Sequence, residues 1–224
     1  LHPAKEVGGD LYGFYMDGNR LYFLIGDVSG KGVPASLFMA ITRSLFRTLS
    51  QQVLSPAKIV TDMNNSISDN NESNMFVTLI VGILDLETGK LKLCNAGHNP
   101  PILIRPDGQV SFLEFKTQIF VGVIEEFAYT EDETTLEKGS KLFLYTDGVT
   151  EAENTEKELY GDEKLLKTLS DNNTSDVRTT VNGIEDSVAD HVKEAEASDD
   201  LTILLIQYEP GQQTIKHISL WKEK

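Results

Sequence analysis

The feature that most constrains this chain is a succession of short apolar runs separated by hairpin signals. Asp17-Gly18-Asn19 divides residues 7–17 from 20–26, Glu87-Thr88-Gly89-Lys90 divides MFVTLIVGILDL from KLKLCNAG, and Pro106-Asp107-Gly108 divides PPILIR from QVSFLEF. Turns rich in Asp, Asn and Gly reverse the chain within a few residues, so each pair of runs is joined as antiparallel neighbours. Residues 127–136 and 141–145 add two further strands, and LTILLIQY near the end is almost wholly apolar. A strand of that kind is covered on both faces and sits centrally. Regularly spaced antiparallel strands predict two sheets stacked as a sandwich.

Helical periodicity interrupts the strands in two places. After Pro34, suited to a first helical turn, the apolar residues Val33, Leu37, Ile41, Leu45, Leu49 and Val53 recur every four positions and predict a helix over 34–53 with that stripe against the core. Ser55-Pro56 reads as an N-cap followed by proline and opens a second helix carrying Ile59, Val60, Met63 and Ile67. Later patterns predict helices over 159–169 and 176–195. No Pro-, Gly- or Ser-rich linker divides the chain, so 1–224 reads as one domain, with a core over 1–208 and a tail over 209–224 containing Trp221. It begins at Leu1, the expectation being a piece cut from a longer, regulated protein.

Charge and composition exclude several classes. A net charge of −15 argues against a phosphate-backbone partner, so no nucleic acid is expected. No run of about 18 apolar residues and no charged-then-apolar leader is present, which predicts no membrane contact and a cytoplasmic location. Cys94 is the lone cysteine and reads as a core thiol in a reducing compartment. His2, His98, His191 and His217 lack metal-ligand spacing, so a metal here would be held by oxygens, favouring Mg²⁺ or Mn²⁺.

Acids stand where strong strands stop or start. Asp27 ends the strand leading into GDVSGKGVPASLFMA, where Ser29, Gly30 and Gly32 make a tight corner. This is not a P-loop: three residues, not four, separate Gly26 from Gly30-Lys31, and Gly32 follows the lysine. Asp10 follows Gly8-Gly9, Asp147 lies in LYTDGVTEA, and Asp199-Asp200 precede LTILLI. Any one of these could be an ordinary turn residue. Together, carboxylates beside buried strands repel one another and lose hydration, and the only cation inside these motifs is Lys31. Divalent cations would supply the missing charge.

In order, VGGDLYGFY, GDVSGKGVPASLFMA, MFVTL, NAGHNPPIL, LYTDGVTEA and DDLT closely resemble the bacterial branch of the metal-dependent protein phosphatases of the 2C type, in its SpoIIE and RsbU group. The resemblance spans roughly 1–208. It implies an α+β fold, an α-β-β-α four-layer sandwich of two antiparallel sheets flanked by helices, with two Mn²⁺ or Mg²⁺ ions at one end. Carried over by motif, Asp27 bridges both ions with the Val28 carbonyl beside it, Asp10 completes the second ion, Asp147 and Asp199 hold the first, and Asp200 is the lesser neighbouring acid. Lys31 is a candidate for substrate phosphate, and His98 reads as structural. A metal-bridging hydroxide would attack phosphorus in line without a covalent enzyme intermediate. The implied substrate is a phosphorylated STAS-domain anti-anti-sigma factor, with homodimers formed through upstream segments or the helices of 34–68. The rival reading is a silent pseudophosphatase that only docks such a partner. One departure stands out: the family commonly carries an acid where this chain has Gly13.

Overall fold

The computed structural model describes residues 8–69, 71, 74–195 and 199–210; Trp221 and the tail reading for 211–224, like His2 and His217, lie outside them. The first hairpin joins β1 (Leu11–Asp17) to β2 (Arg20–Val28), and α1 (Val33–Leu49) and α2 (Pro56–Ser68) follow. Next come β3 (Val77–Asp85), β4 (Lys90–Ala96), β5 (Ile102–Ile104), β6 (Val110–Phe112), β7 (Asp132–Thr135) and β8 (Lys141–Tyr145). The chain then forms α3 (Gly161–Asp171), α4 (Val177–Val192) and β9 (Ile203–Gln207). Two antiparallel sheets result, ordered β1-β2-β3-β4-β7 and β6-β5-β8-β9.

Alternation along the strands builds three apolar layers. Leu21, Phe23 and Ile25 of β2 point at the second sheet and meet Leu142 and Leu144 of β8 and Leu204 and Ile206 of β9. Their neighbours Tyr22 and Leu24 face the other way, against Phe46 of α1 and Ile59, Val60 and Met63 of α2. On the far side Phe143, Tyr145, Ile203 and Leu205 pack against Leu165 and Leu169 of α3 and Val181, Ile184 and Val188 of α4. Period-two strands between period-3.6 helices thus give the expected α-β-β-α sandwich. β8 is paired on both sides and buried on both faces, as its largely apolar sequence requires. β9, also buried on both faces, ends its sheet among the described residues instead of sitting centrally: the layers above and below it, not a second neighbouring strand, cover its apolar side chains. Among the described residues no helix is long and apolar enough to cross a membrane.

Several expectations are corrected. The four-residue stripe of α1 does not face the core: Val33, Leu37 and Ile41 are 65%, 62% and 55% exposed, while Ala35, Thr42 and Phe46 are buried. Four residues overshoot a 3.6-residue turn, so a strict i+4 row winds off the buried face after two or three steps. Only its last members, Leu45, Leu49 and Val53, reach the core. The strand expected over 127–136 shrinks to β7 because the preceding backbone bonds side chains instead: Thr130 N–H donates to the Gln118 carbonyl oxygen and Tyr129 N–H to Thr61 Oγ1. The last helix stops at Val192, where Lys193 takes φ 53°.

Candidate metal centre

The strand ends that carry the acids converge at one edge of the sandwich. Leu11 pairs with Gly26, so Asp10, just before β1, stands beside Asp27 near the end of β2. Tyr145 pairs with Ile203, which brings Asp147, just after β8, level with the residues entering β9. Thr146 ties the two sheets together at this edge. Its Oγ1 donates to Asp10 Oδ2 at 2.7 Å and accepts from Thr202 N–H at 3.0 Å. Gly9 N–H donates to Asp200 Oδ2 at 2.8 Å, and Asp200 N–H donates to Asp199 Oδ1 at 2.9 Å.

Glycines make this approach geometrically feasible. A Cβ at Gly8 would lie 2.2 Å from Asp200 Oδ2, one at Gly9 2.9 Å from the Val28 carbonyl, and one at Gly148 1.9 Å from the Asp200 carbonyl. The glycines of the GGD and TDG motifs therefore let both the start of the chain and the end of β8 close onto Asp200, which is distant from each in sequence.

Burial and mutual repulsion dominate the electrostatics. Burial pushes Asp10 well above the ordinary carboxylate range, against hydrogen bonding that favours its charged form. Burial, then the charges of Asp147 and Asp199, push Asp27 up to about 7, with a hydrogen bond to Asp10 opposing. Asp147 is raised by burial and by Asp199. These shifts record carboxylates crowded together without enough positive charge. The nearby cation is Lys31, whose Nζ lies 3.0 Å from Asp199 Oδ1.

The site thus gathers Asp10, Asp27, Val28, Asp147, Asp199, Asp200 and Lys31, all singled out in the sequence. His98 stays outside it, buried beneath, with Nδ1 2.9 Å from Thr78 Oγ1, which in turn lies 3.5 Å from the Asp27 carbonyl. Burial lowers the His98 pKa to about 4, as befits a neutral structural imidazole. Gly13 faces away from the acids: a Cβ there would sit 2.9 Å from Leu24 and 3.6 Å from the Phe46 ring, so an acid would enter the layer under α1. Sequence reasoning missed Thr146 and Glu151. Glu151 is raised by burial and then by Asp147 and Asp199, which places it at the edge of the cluster; its position four residues after Asp147 in the same motif was the available signal.

The donor set fits a hard divalent cation. All its donors are oxygens, and Asp147 Oδ1 is buried with no hydrogen-bond partner among the described residues. The described side chains do not close a cage of three or more His, Cys, Asp or Glu ligands as they stand. Carboxylates spread in this way suit ions that complete their shells with water and a backbone carbonyl.

The family model described as Stage II sporulation protein E (SpoIIE) matches residues 17–209. Phosphoserine phosphatase RsbU of Bacillus subtilis (strain 168) is 28% identical over 92% of this chain, which spans 61% of that relative's length. The SiaA-PP2C domain of Pseudomonas aeruginosa superposes with a TM-score of 0.83 at 20% identity, covering 93% of this chain and 84% of that one. RsbX, solved in complex with magnesium, superposes with a TM-score of 0.67 at 19% identity over 92% of this chain and 90% of its own.

Proposed function

This chain belongs to the SpoIIE family, and from that premise we propose that it is a metal-dependent protein-serine/threonine phosphatase. The observation that carries the reading is the crowd of under-neutralised carboxylates at one sandwich edge, with the partnerless Asp147 Oδ1 among them. Asp27, central to the cluster, would contact both of two Mn²⁺ or Mg²⁺ ions, with the Val28 carbonyl alongside. Asp10 would serve one ion from the first sheet, and Asp147 and Asp199 the other from the second. Bound there, such ions would supply Lewis acidity, activating a water for in-line attack on phosphorus and offsetting charge on the phosphoryl oxygens.

The protein's own residues do the positioning. Thr146 holds Asp10 by its hydroxyl and joins it to the β9 strand end, so hydrogen bonds link the two halves of the ligand set. Asp200 spends one oxygen on Gly9 N–H and in our reading anchors the 8–10 segment more than it binds metal. Lys31, about two-fifths exposed at the rim, can present its ammonium to a substrate phosphate.

The likeness to the phosphoserine phosphatase RsbU makes phosphoserine the fitting substrate, and the motif resemblance narrows it to a phosphorylated STAS-domain protein in a cytoplasmic partner-switching pathway. The exposed row Val33, Leu37 and Ile41 on α1 offers an apolar face for self-association. The test is Mn²⁺-dependent phosphate release from a phosphorylated STAS protein by wild type and Asp27→Asn. Release that requires Mn²⁺ and is lost in the variant is expected. A folded, metal-bound wild type that docks the phosphoprotein without releasing phosphate would instead establish a pseudophosphatase.

A further inference from the structure

We propose that Lys31 is a stand-in cation: in the metal-free protein its ammonium occupies Asp199, a divalent ion must displace it, and the displaced ammonium then turns to the substrate phosphate. The inference rests on the reading of Asp199 as a metal ligand.

The contact joins residues far apart in the chain and on different sheets, with Lys31 just beyond β2 and Asp199 just before β9. Asp199 Oδ1 already accepts from Lys31 Nζ and from Asp200 N–H, so a cation approaching that oxygen meets an occupied acceptor. Lys31 also acts electrostatically on Asp147, the other acid read as serving the same ion. One ammonium therefore answers two carboxylates that a metal would otherwise neutralise.

The pair is built to be exchanged. Its side chains are 44% and 36% exposed, so it is screened by water, contributes little to stability and yields readily to a divalent ion. The flanking Gly30 and Gly32 hold φ of +85° and +81°, and a Cβ at either would meet no atom within 4 Å. These glycines fix a left-handed corner with open space around it, leaving a long, flexible stem room to swing from Asp199 toward a ligand. Without Lys31, metal would bind more tightly and phosphate less tightly, a pairing of opposite effects that a purely structural lysine would not produce.

The test measures Mn²⁺ binding to the full chain by electron paramagnetic resonance of free Mn²⁺, a readout independent of turnover. Lys31→Met should bind Mn²⁺ about two- to fivefold more tightly than wild type, as expected for release of a solvent-screened pair. In an Asp199→Asn background the same substitution should change affinity by less than about 1.5-fold, because the two side chains are coupled. With Mn²⁺ saturating, inorganic phosphate should bind Lys31→Met more weakly than wild type. Unchanged or weaker Mn²⁺ binding by Lys31→Met overturns the proposal, and so does an effect that persists in full beside Asp199→Asn, which would be general charge repulsion. If Asp199→Asn alone binds Mn²⁺ as tightly as wild type, the ligand assignment fails and takes this proposal with it; the other failures leave that assignment standing.

Discussion

Replacing Asp27 by Asn should make the metal-free protein more stable while removing its activity. Burial and the charges of Asp147 and Asp199 move the Asp27 carboxyl from its ordinary value of 3.8 to about 7 in the folded state. A folded pKa above the unfolded one means that the fold holds the proton more tightly than the unfolded chain does. Folding therefore carries a penalty that begins as pH rises past the unfolded value and levels off above about 7. At about 1.36 kcal/mol per pH unit, it reaches about 4 kcal/mol at pH 8 and about half that at pH 5.5. Asn keeps the shape without the charge, but its amide must find partners of its own, so we expect about half the penalty to be recovered, about 2 kcal/mol at pH 8. For a chain of this size that raises Tm by about 4–8 °C. Thermal and urea denaturation in EDTA at pH 8 and pH 5.5 measures the effect, which should be clearly larger at pH 8. A variant that melts at or below wild type at pH 8, or whose advantage does not change with pH, would refute the picture of crowded, under-neutralised carboxylates.

Three further outcomes follow from the same structure. Gly148→Ala forces a methyl to 1.9 Å from the Asp200 carbonyl and should cost about 3 kcal/mol in urea denaturation, with weaker Mn²⁺ binding in whatever fraction folds. His98 is held neutral with a folded pKa of about 4 against an ordinary 6.5, so its contribution is intact above pH 6.5 and lost as pH falls toward 4. That loss amounts to about 3 kcal/mol, and denaturation across this window should be flatter for His98→Gln than for wild type. On α1, Phe46→Ala should cost about 3–5 kcal/mol because the ring is buried, whereas Leu37→Ser, at an exposed position, should stay within about 0.5 kcal/mol; equal costs would contradict the helix orientation described above.

Much of the fold was legible because strand alternation and hairpin turns act locally: Asp17-Gly18-Asn19 and Pro106-Asp107-Gly108 do sit between paired strands. The face of α1 was not legible, since a row of residues four apart fits a helix yet drifts around it, and tertiary packing chose Phe46 over Leu37. Asp27 and Asp147 could be singled out because apolar runs lead straight into them, and Asp10 because two glycines precede it. How these acids divide between two ions came from the motif resemblance, as spacing alone carries no such information. Thr146 and the Lys31–Asp199 pair were hidden for another reason. They depend on how the ends of two different sheets stack, and that is decided by three apolar layers rather than by any local pattern.

The most direct test of the central claim is a crystal structure grown with Mn²⁺ and read by anomalous scattering. The account predicts two peaks at the sandwich edge, one touching Asp10 and Asp27 and the other touching Asp27, Asp147 and Asp199, with Lys31 no longer on Asp199. A fully Mn²⁺-soaked crystal with no peak among these carboxylates, or with its metal bound elsewhere, would contradict it.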